Sequence, residues 1–327
     1  MRIDRSLVLP LAIVAGIALY FGYAAIPALD DTHQAVLEAV GIAQPLLIFA
    51  MLFITFCKVN LRELRPARWH WPLLALQAGV FVAGVAVLNI CSRLGVLDSS
   101  LNDVAESFLV CMICPTATAA AVVTYRLGGN TATLTAYTIM INFAVALVVP
   151  LMVPLLHSSV HFVAPEVFSS LPFLNYTLYI IIKVFPLLIG PLALAAAMRL
   201  VCPRFTRAVA SVPDLAFYLW AISLMLAIAV SVKALVHSGA SLSVIVGIAL
   251  ASALACVVQF AFGRMIGRRS NDLVSAAQAC GQKNTVFAIW LGYSFFSPVT
   301  AIAGGFYSIW HNVYNSWQLA KIKNKEK

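Results

Sequence analysis

The chain reads as an all-α polytopic membrane protein with ten transmembrane helices. Three observations predict this. Its 327 residues are 62% hydrophobic and only 10% charged, with a mean hydropathy of +0.95, whereas a soluble chain carries about 25% charge. Apolar runs of about 20 residues, the length of a span, recur from one end to the other. Most connections between them are short, with no long polar linker, so 1–327 is a single membrane domain.

The first span covers 7–27. Its apolar run from Leu7 to Pro27 is too long for the core of a signal peptide and has no convincing cleavage site. The others cover 40–57, 71–91, 104–127, 130–156, 174–200, 213–236, 241–263, 272–295 and 298–320. The longest gap, His157 to Phe173, is expected to hold an interfacial turn. The end, 321–327, is a basic cytoplasmic tail.

Charge sets the expected orientation, because short cytoplasmic loops collect Lys and Arg. With the N-terminus inside, the inner flanks hold Arg2, Arg5, Lys58, Arg62, Arg65, Arg68, Arg126, Arg199, Arg204, Arg207, Arg264, Arg268, Arg269 and the tail lysines. The outer flanks hold Arg93 and Lys233, together with Asp30, Asp31, Glu38, Asp98, Asp103, Glu106 and Glu166. Both termini are therefore expected in the cytoplasm and the chain in the plasma (inner) membrane. The net charge of +9 then reports topology and contact with anionic lipid, and no nucleic-acid partner is implied.

Seven cysteines lie in or beside the spans. An odd number at membrane depth argues against a disulfide framework. Cys111-Met112-Ile113-Cys114 has redox spacing in an apolar helix, where small packing residues are the better reading. His33, His70, His157, His161 and His237 fall near loops, and His311 stands alone in the last span, as packing histidines do. With no metal cluster, paired carboxylates or nucleophile motif, neither enzyme chemistry nor a cofactor is expected.

Ten spans with both ends inside divide into two halves of opposite orientation, 1–156 and 174–320. Inverted repeats of this kind put substrate at their interface, beside discontinuous helices. The fourth span of each half is the interrupted one. Span four carries Cys114-Pro115-Thr116-Ala117-Thr118, where Pro115 removes a backbone donor and disfavours helix before it. Span nine carries Gly281-Gln282-Lys283-Asn284. Short helical pieces follow, ended by Gly128-Gly129-Asn130 and Ser297-Pro298. The two breaks are expected to cross. Lys283 is the most informative residue of the chain, because a lysine at membrane depth costs roughly 3 kcal/mol on insertion scales and marks a functional site by default. The bland reading is that it ties the break to backbone carbonyls. Lys183 in span six is a second deep cation, for which snorkelling and substrate contact are equally good readings.

Cys114-Pro115, Val122-Val123-Thr124-Tyr125 and Gly129-Asn130 resemble the fourth helix of the bile acid/sodium symporter family. Gly281, Asn284-Thr285, Phe296-Ser297-Pro298 and Ser308-Ile309-Trp310-His311-Asn312 resemble its ninth and tenth helices, and Gln77 sits where the family carries a functional glutamine. The resemblance implies core and panel domains, crossed broken helices four and nine, and alternating-access transport of organic anions, usually with two sodium ions.

The chain looks like a divergent bacterial-type member that lacks the usual sodium ligands. Ala120-Ala121 stand where the family has Ser-Asn, Ala279 where it has glutamate, Leu134 where it has serine and Lys283 where it has glutamine. Only Gln77 and Thr138 match side-chain ligands. Alanine and leucine offer a cation no side-chain oxygen, and an ammonium repels one by roughly 4 kcal/mol at 4 Å for an effective dielectric constant of 20. The expected function is therefore secondary or facilitative transport of an organic anion, bile-acid-like or smaller, without sodium and with Lys283 in place of a sodium ion. Proton coupling through Lys283 stays open. The expected binding residues are Lys283, Gln282, Asn284, Gln278, Gln77, Thr116, Thr118, Thr138 and Lys183. Rebuilt sodium sites from backbone carbonyls and Gln278, Gln282, Thr116 or Thr118 are one alternative. A cation/proton antiporter and a non-transporting receptor are others, the antiporter disfavoured because no carboxylate is expected at mid-membrane.

Overall fold

The computed structural model describes residues 5–26, 32–59, 64, 66–156, 173–212 and 214–323. The interfacial turn expected after His157 and the end of the basic tail lie outside them. The described chain is helical, with no strand. Its helices are α1 (Arg5–Ala24), α2 (His33–Lys58), α3 (His70–Arg93), α4 (Ser99–Ile113), α5 (Ala120–Arg126), α6 (Thr131–Met152) and α7 (Phe173–Val201). Then come α8 (Pro203–Ser211), α9 (Leu215–His237), α10 (Leu242–Arg268), α11 (Leu273–Gly281), α12 (Thr285–Phe295) and α13 (Ala301–Lys323).

Among the described residues, six helical segments are long and apolar enough to cross a membrane, as in an integral membrane protein: Glu38–Lys58, His70–Arg93, Thr131–Leu155, Phe173–Val201, Leu215–His237 and Leu242–Arg268. Each of the ten apolar segments read from the sequence falls on helix, and the fourth and ninth each fall on two helices with a break between. Helix α8 was not anticipated. It starts with Pro203, whose missing N–H costs nothing at a helix start, and carries Arg204 and Arg207 on its exposed surface.

The helices pack in two sets. In one, α1 lies against α9, and α2 against α7 and α9. In the other, α3 meets α4 and α6, α10 meets α4, α11 and α13, and α12 meets α13. Contact between α6 and α7 joins the sets. Leu11, Val14, Val87, Ile182, Leu250 and Leu254 point outward, as side chains facing lipid do. Small residues let backbones approach where the second set is tightest. A Cβ added to Gly263 of α10 would sit 2.6 Å from the carbonyl oxygen of Ala276 in α11.

Charged and polar side chains close helix ends that the apolar sequence leaves open. Arg199 of α7 donates from Nη2 to the carbonyls of Phe56, Cys57 and Val59 at 2.9, 3.3 and 2.6 Å. These carbonyls lie at the end of α2, where Phe56 also accepts from the Val59 N–H at 3.3 Å and positive charge favours the helix dipole. Asn130 caps α6 by accepting from the N–H groups of Ala132 and Thr133 at 3.0 and 3.2 Å. Just before it, Gly128 ends α5 with a φ of +76°, a conformation that side chains resist. Glu106, expected on an outer flank, is instead buried in α4, where Asn102 Nδ2 donates to its Oε1 at 2.8 Å.

Candidate functional site at the crossing of two broken helices

The two breaks meet. Helix α4 stops at Ile113, and Cys114 turns extended (φ −50°, ψ 140°) ahead of Pro115. Helix α11 stops at Gly281, and Gln282 is likewise extended (φ −92°, ψ 96°). Thr116 and Lys283 then pair as an isolated antiparallel bridge. The Asn284 N–H donates to the Pro115 carbonyl at 2.9 Å, and the Ala117 N–H to the Gln282 carbonyl at 2.8 Å. The Thr116 hydroxyl donates to the Ala279 carbonyl at 2.6 Å. Each break thereby supplies donors and acceptors that the other lacks, which is what apolar surroundings demand of an irregular backbone. Helix α12 restarts at once, with Asn284 Oδ1 accepting from the Phe287 N–H at 3.2 Å.

A buried polar chain supports the crossing from behind. Tyr137 donates to Gln77 Oε1, while Gln77 Nε2 donates to Gln259 Oε1 at 3.0 Å and to the Met112 carbonyl at 3.2 Å. Gln259 Nε2 donates to the Cys111 carbonyl at 3.2 Å and to the Tyr307 hydroxyl at 3.1 Å. Tyr307 in turn donates to the Gly281 carbonyl at 2.8 Å. The carbonyls left open where α4 and α11 end are thus met by side chains from α3, α10 and α13. Gly281 has a packing reason as well, since a Cβ there would lie 2.4 Å from the Phe260 ring.

In front of the crossing lies a cavity of ≈ 240 Å³. Lys283, Gln282, Asn284, Thr285, Thr118, Arg126, His311 and Asn312 line it, with Met51, Phe217 and Trp220 on the apolar side. Lys283 is 1% exposed, and among the described residues its Nζ has no hydrogen-bond partner. The titratable groups that act on it are the thiols of Cys280, Cys114 and Cys111, with no carboxylate among them. Gln282 Oε1 and His311 Nδ1 also lack partners among the described residues. Several kcal/mol ride on an uncompensated buried ion, so an anion entering here would find a charge and polar groups waiting. Helix α12 begins at the same cavity and adds its positive dipole end. A second cavity of ≈ 520 Å³ shares Thr118, Ala119, Val122, Phe217 and Trp220 with the first and continues toward Lys58 and Asp214. It forms a vestibule between α2 and α9 on one side and α5 and α6 on the other.

Of the expected binding residues, Lys283, Gln282, Asn284 and Thr118 share the cavity. Thr116 and Gln77 sit in the scaffold behind it. Thr138 bonds back to the Leu134 carbonyl of its own helix at 3.0 Å. Gln278 turns to α13, where its Nε2 donates to Asn315 Oδ1 and Gln318 Oε1 at 3.0 and 2.9 Å. Lys183 is exposed on α7, with Nζ 5.7 Å from the Tyr179 ring centroid, and does not join the group. Arg126 and His311 are cavity residues read from the sequence as flank charge and packing, and Asn312 one named there only within the tenth-helix resemblance. Their proximity to the breaks in the resemblance motifs was the available signal. Compared with known proteins, the chain matches no family model and no curated protein.

Proposed function

We propose that this chain is a secondary or facilitative transporter of a small organic anion that works by alternating access. The observation that carries the reading is Lys283, a buried ammonium without a hydrogen-bond partner among the described residues, in a cavity where two broken helices cross. On this reading the helices form ten spans in two inverted five-helix repeats. Helices α1, α2, α7 and α9 act as a panel, and the remaining spans act as the core. Both termini are cytoplasmic in an inner membrane, and the vestibule beside Lys58 and Asp214 is the inward entrance. The bile acid/sodium symporter family remains the resemblance that suggested this plan.

The space beside Lys283, taken without the adjoining vestibule, favours a small carboxylate over a bile acid. A volume of ≈ 240 Å³ lies below the roughly 300–1,000 Å³ of sites for drug-sized ligands. The scaffold favours sodium independence. Gln77, the family's functional glutamine by resemblance, spends its amide on Tyr137, Gln259 and Met112. Ala120, Leu134 and Ala279 are buried apolar side chains, and a fixed cation at Lys283 takes over the role of a bound one.

Flux into proteoliposomes tests this. The expected result is saturable uptake of a small carboxylate that persists when choline replaces sodium. A panel of organic anions, none of which crosses under any ion gradient, would leave the receptor reading in its place.

A further inference from the structure

Outside the crossing, the most distinctive surface lies where α10 ends. Along this helix Leu254, Val257, Ala261 and Met265 are exposed at spacings of three and four residues, so they form one outward stripe. From Leu254 to Met265 the stripe runs ~16 Å at 1.5 Å per residue, about one leaflet of the hydrocarbon core. It ends at Arg264, Arg268 and Arg269. A cavity of ≈ 500 Å³ opens there, lined by Ala261, Arg264, Met265, Arg268, Arg269 and Leu273. A polar cavity of ≈ 900 Å³ adjoins it, shares Arg268, Arg269 and Leu273, and adds Arg68.

The charge there is uncompensated. Among the described residues, no hydrogen bond or ion pair engages the side chains of Arg68, Arg268 or Arg269. The acidic lining residue, Asp272, is turned into the protein, where its Oδ2 accepts from Trp69 Nε1 at 2.9 Å and Thr133 Oγ1 at 2.7 Å. Arg264 is steadied by Tyr314, to whose hydroxyl it donates at 3.3 Å.

We infer that this groove is a binding site for an anionic phospholipid. The phosphate sits among Arg264, Arg268 and Arg269, and an acyl chain follows the apolar stripe of α10. Guanidinium groups suit phosphate because their forked donors match its oxygens two at a time. Basic grooves beside apolar helix faces recognise acidic head groups by the same chemistry. The apolar stripe is what selects a lipid over a free anion. The site packs on α11, the helix that carries the Gly281 break, yet it stands independently of the transport reading.

The test uses the full-length protein in zwitterionic detergent. Phosphatidylglycerol should raise the thermal unfolding midpoint and survive as a bound adduct in native mass spectrometry, and phosphatidylcholine should do neither. The double variant R268Q/R269Q should weaken the preference by about tenfold or more. The double variant R204Q/R207Q, equal in charge but on α8, should keep it. Equal stabilisation by phosphatidylcholine overturns the proposal, a comparison that needs no variant. So does wild-type lipid preference in R268Q/R269Q. Protection by inorganic phosphate equal to that by the lipid overturns it as well, and assigns the arginines to a free anion.

Discussion

The Tyr307 hydroxyl and the Gly281 carbonyl lie 2.8 Å apart in a hydrogen bond that ties α13 to the end of α11. Through it the interruption in one helix is held by a side chain two helices later. Tyr307→Phe removes the donor and leaves a buried carbonyl unmet, which costs about 1–3 kcal/mol. A lower thermal unfolding midpoint in detergent is expected, with weakened transport. An unchanged midpoint would show that Gln259 and the rest of the chain hold the break without it.

Lys283→Ala should abolish transport, because the cavity loses the charge an anion would meet. Lys283→Arg separates two uses of that charge. If Lys283 carries a proton through the cycle, uptake follows an imposed pH gradient in the wild type and loses that dependence in the arginine variant, since arginine stays protonated. If Lys283 is a fixed cation, both proteins ignore the gradient. Normal uptake by Lys283→Ala, measured in proteoliposomes, would falsify the role assigned to this residue.

Sodium should not drive uptake. The check is initial rate with sodium or choline outside, at matched ionic strength. A steep rise with sodium would mean that backbone carbonyls rebuild a site among the apolar replacements Ala120, Leu134 and Ala279.

Gly281→Ala should destabilise by about 1–3 kcal/mol, the usual cost of overpacking, since the added methyl falls 2.4 Å from the Phe260 ring. The paired change Gly281→Ala with Phe260→Ala makes room and should recover part of the loss. If the pair is no better than the single variant, the glycine is required by the backbone and not by the ring.

Arg199→Ala should loosen the end of α2, whose three carbonyls it now serves. Hydrogen bonds to charged groups contribute about 1.5–3 kcal/mol, so a measurable fall in unfolding midpoint is expected. Arg199→Lys should restore only part, because all three bonds come from the terminal Nη2 and the shorter lysine side chain ends before that point.

Composition and spacing made the helical segments legible, and Pro115 and the Gly281–Asn284 stretch made both interruptions legible. What stayed hidden was direction around each helix. A helix that is apolar on every side gives no stripe to say which face turns inward. Lys183 and Lys283 looked alike as deep cations, yet one is exposed beside Tyr179 and the other is enclosed at the crossing. Gln259 sat unremarked in an apolar run for the same reason, although it joins Gln77 to Tyr307. Arg126 and His311 reach the cavity only because the breaks bring α5 and α13 to it.

The rungs that join the two interruptions run from Asn284 N–H to Pro115 and from Ala117 N–H to Gln282, and both are main chain to main chain. Such a joint is indifferent to most side chains it carries. Position 283 is therefore free to change its charge over evolutionary time while the hinge stays assembled. On the transport reading, a built-in cation at 283 can be gained or lost without dismantling the joint, whereas a bound sodium ion also needs oxygen-bearing side chains where Ala120, Ala121, Leu134 and Ala279 now stand.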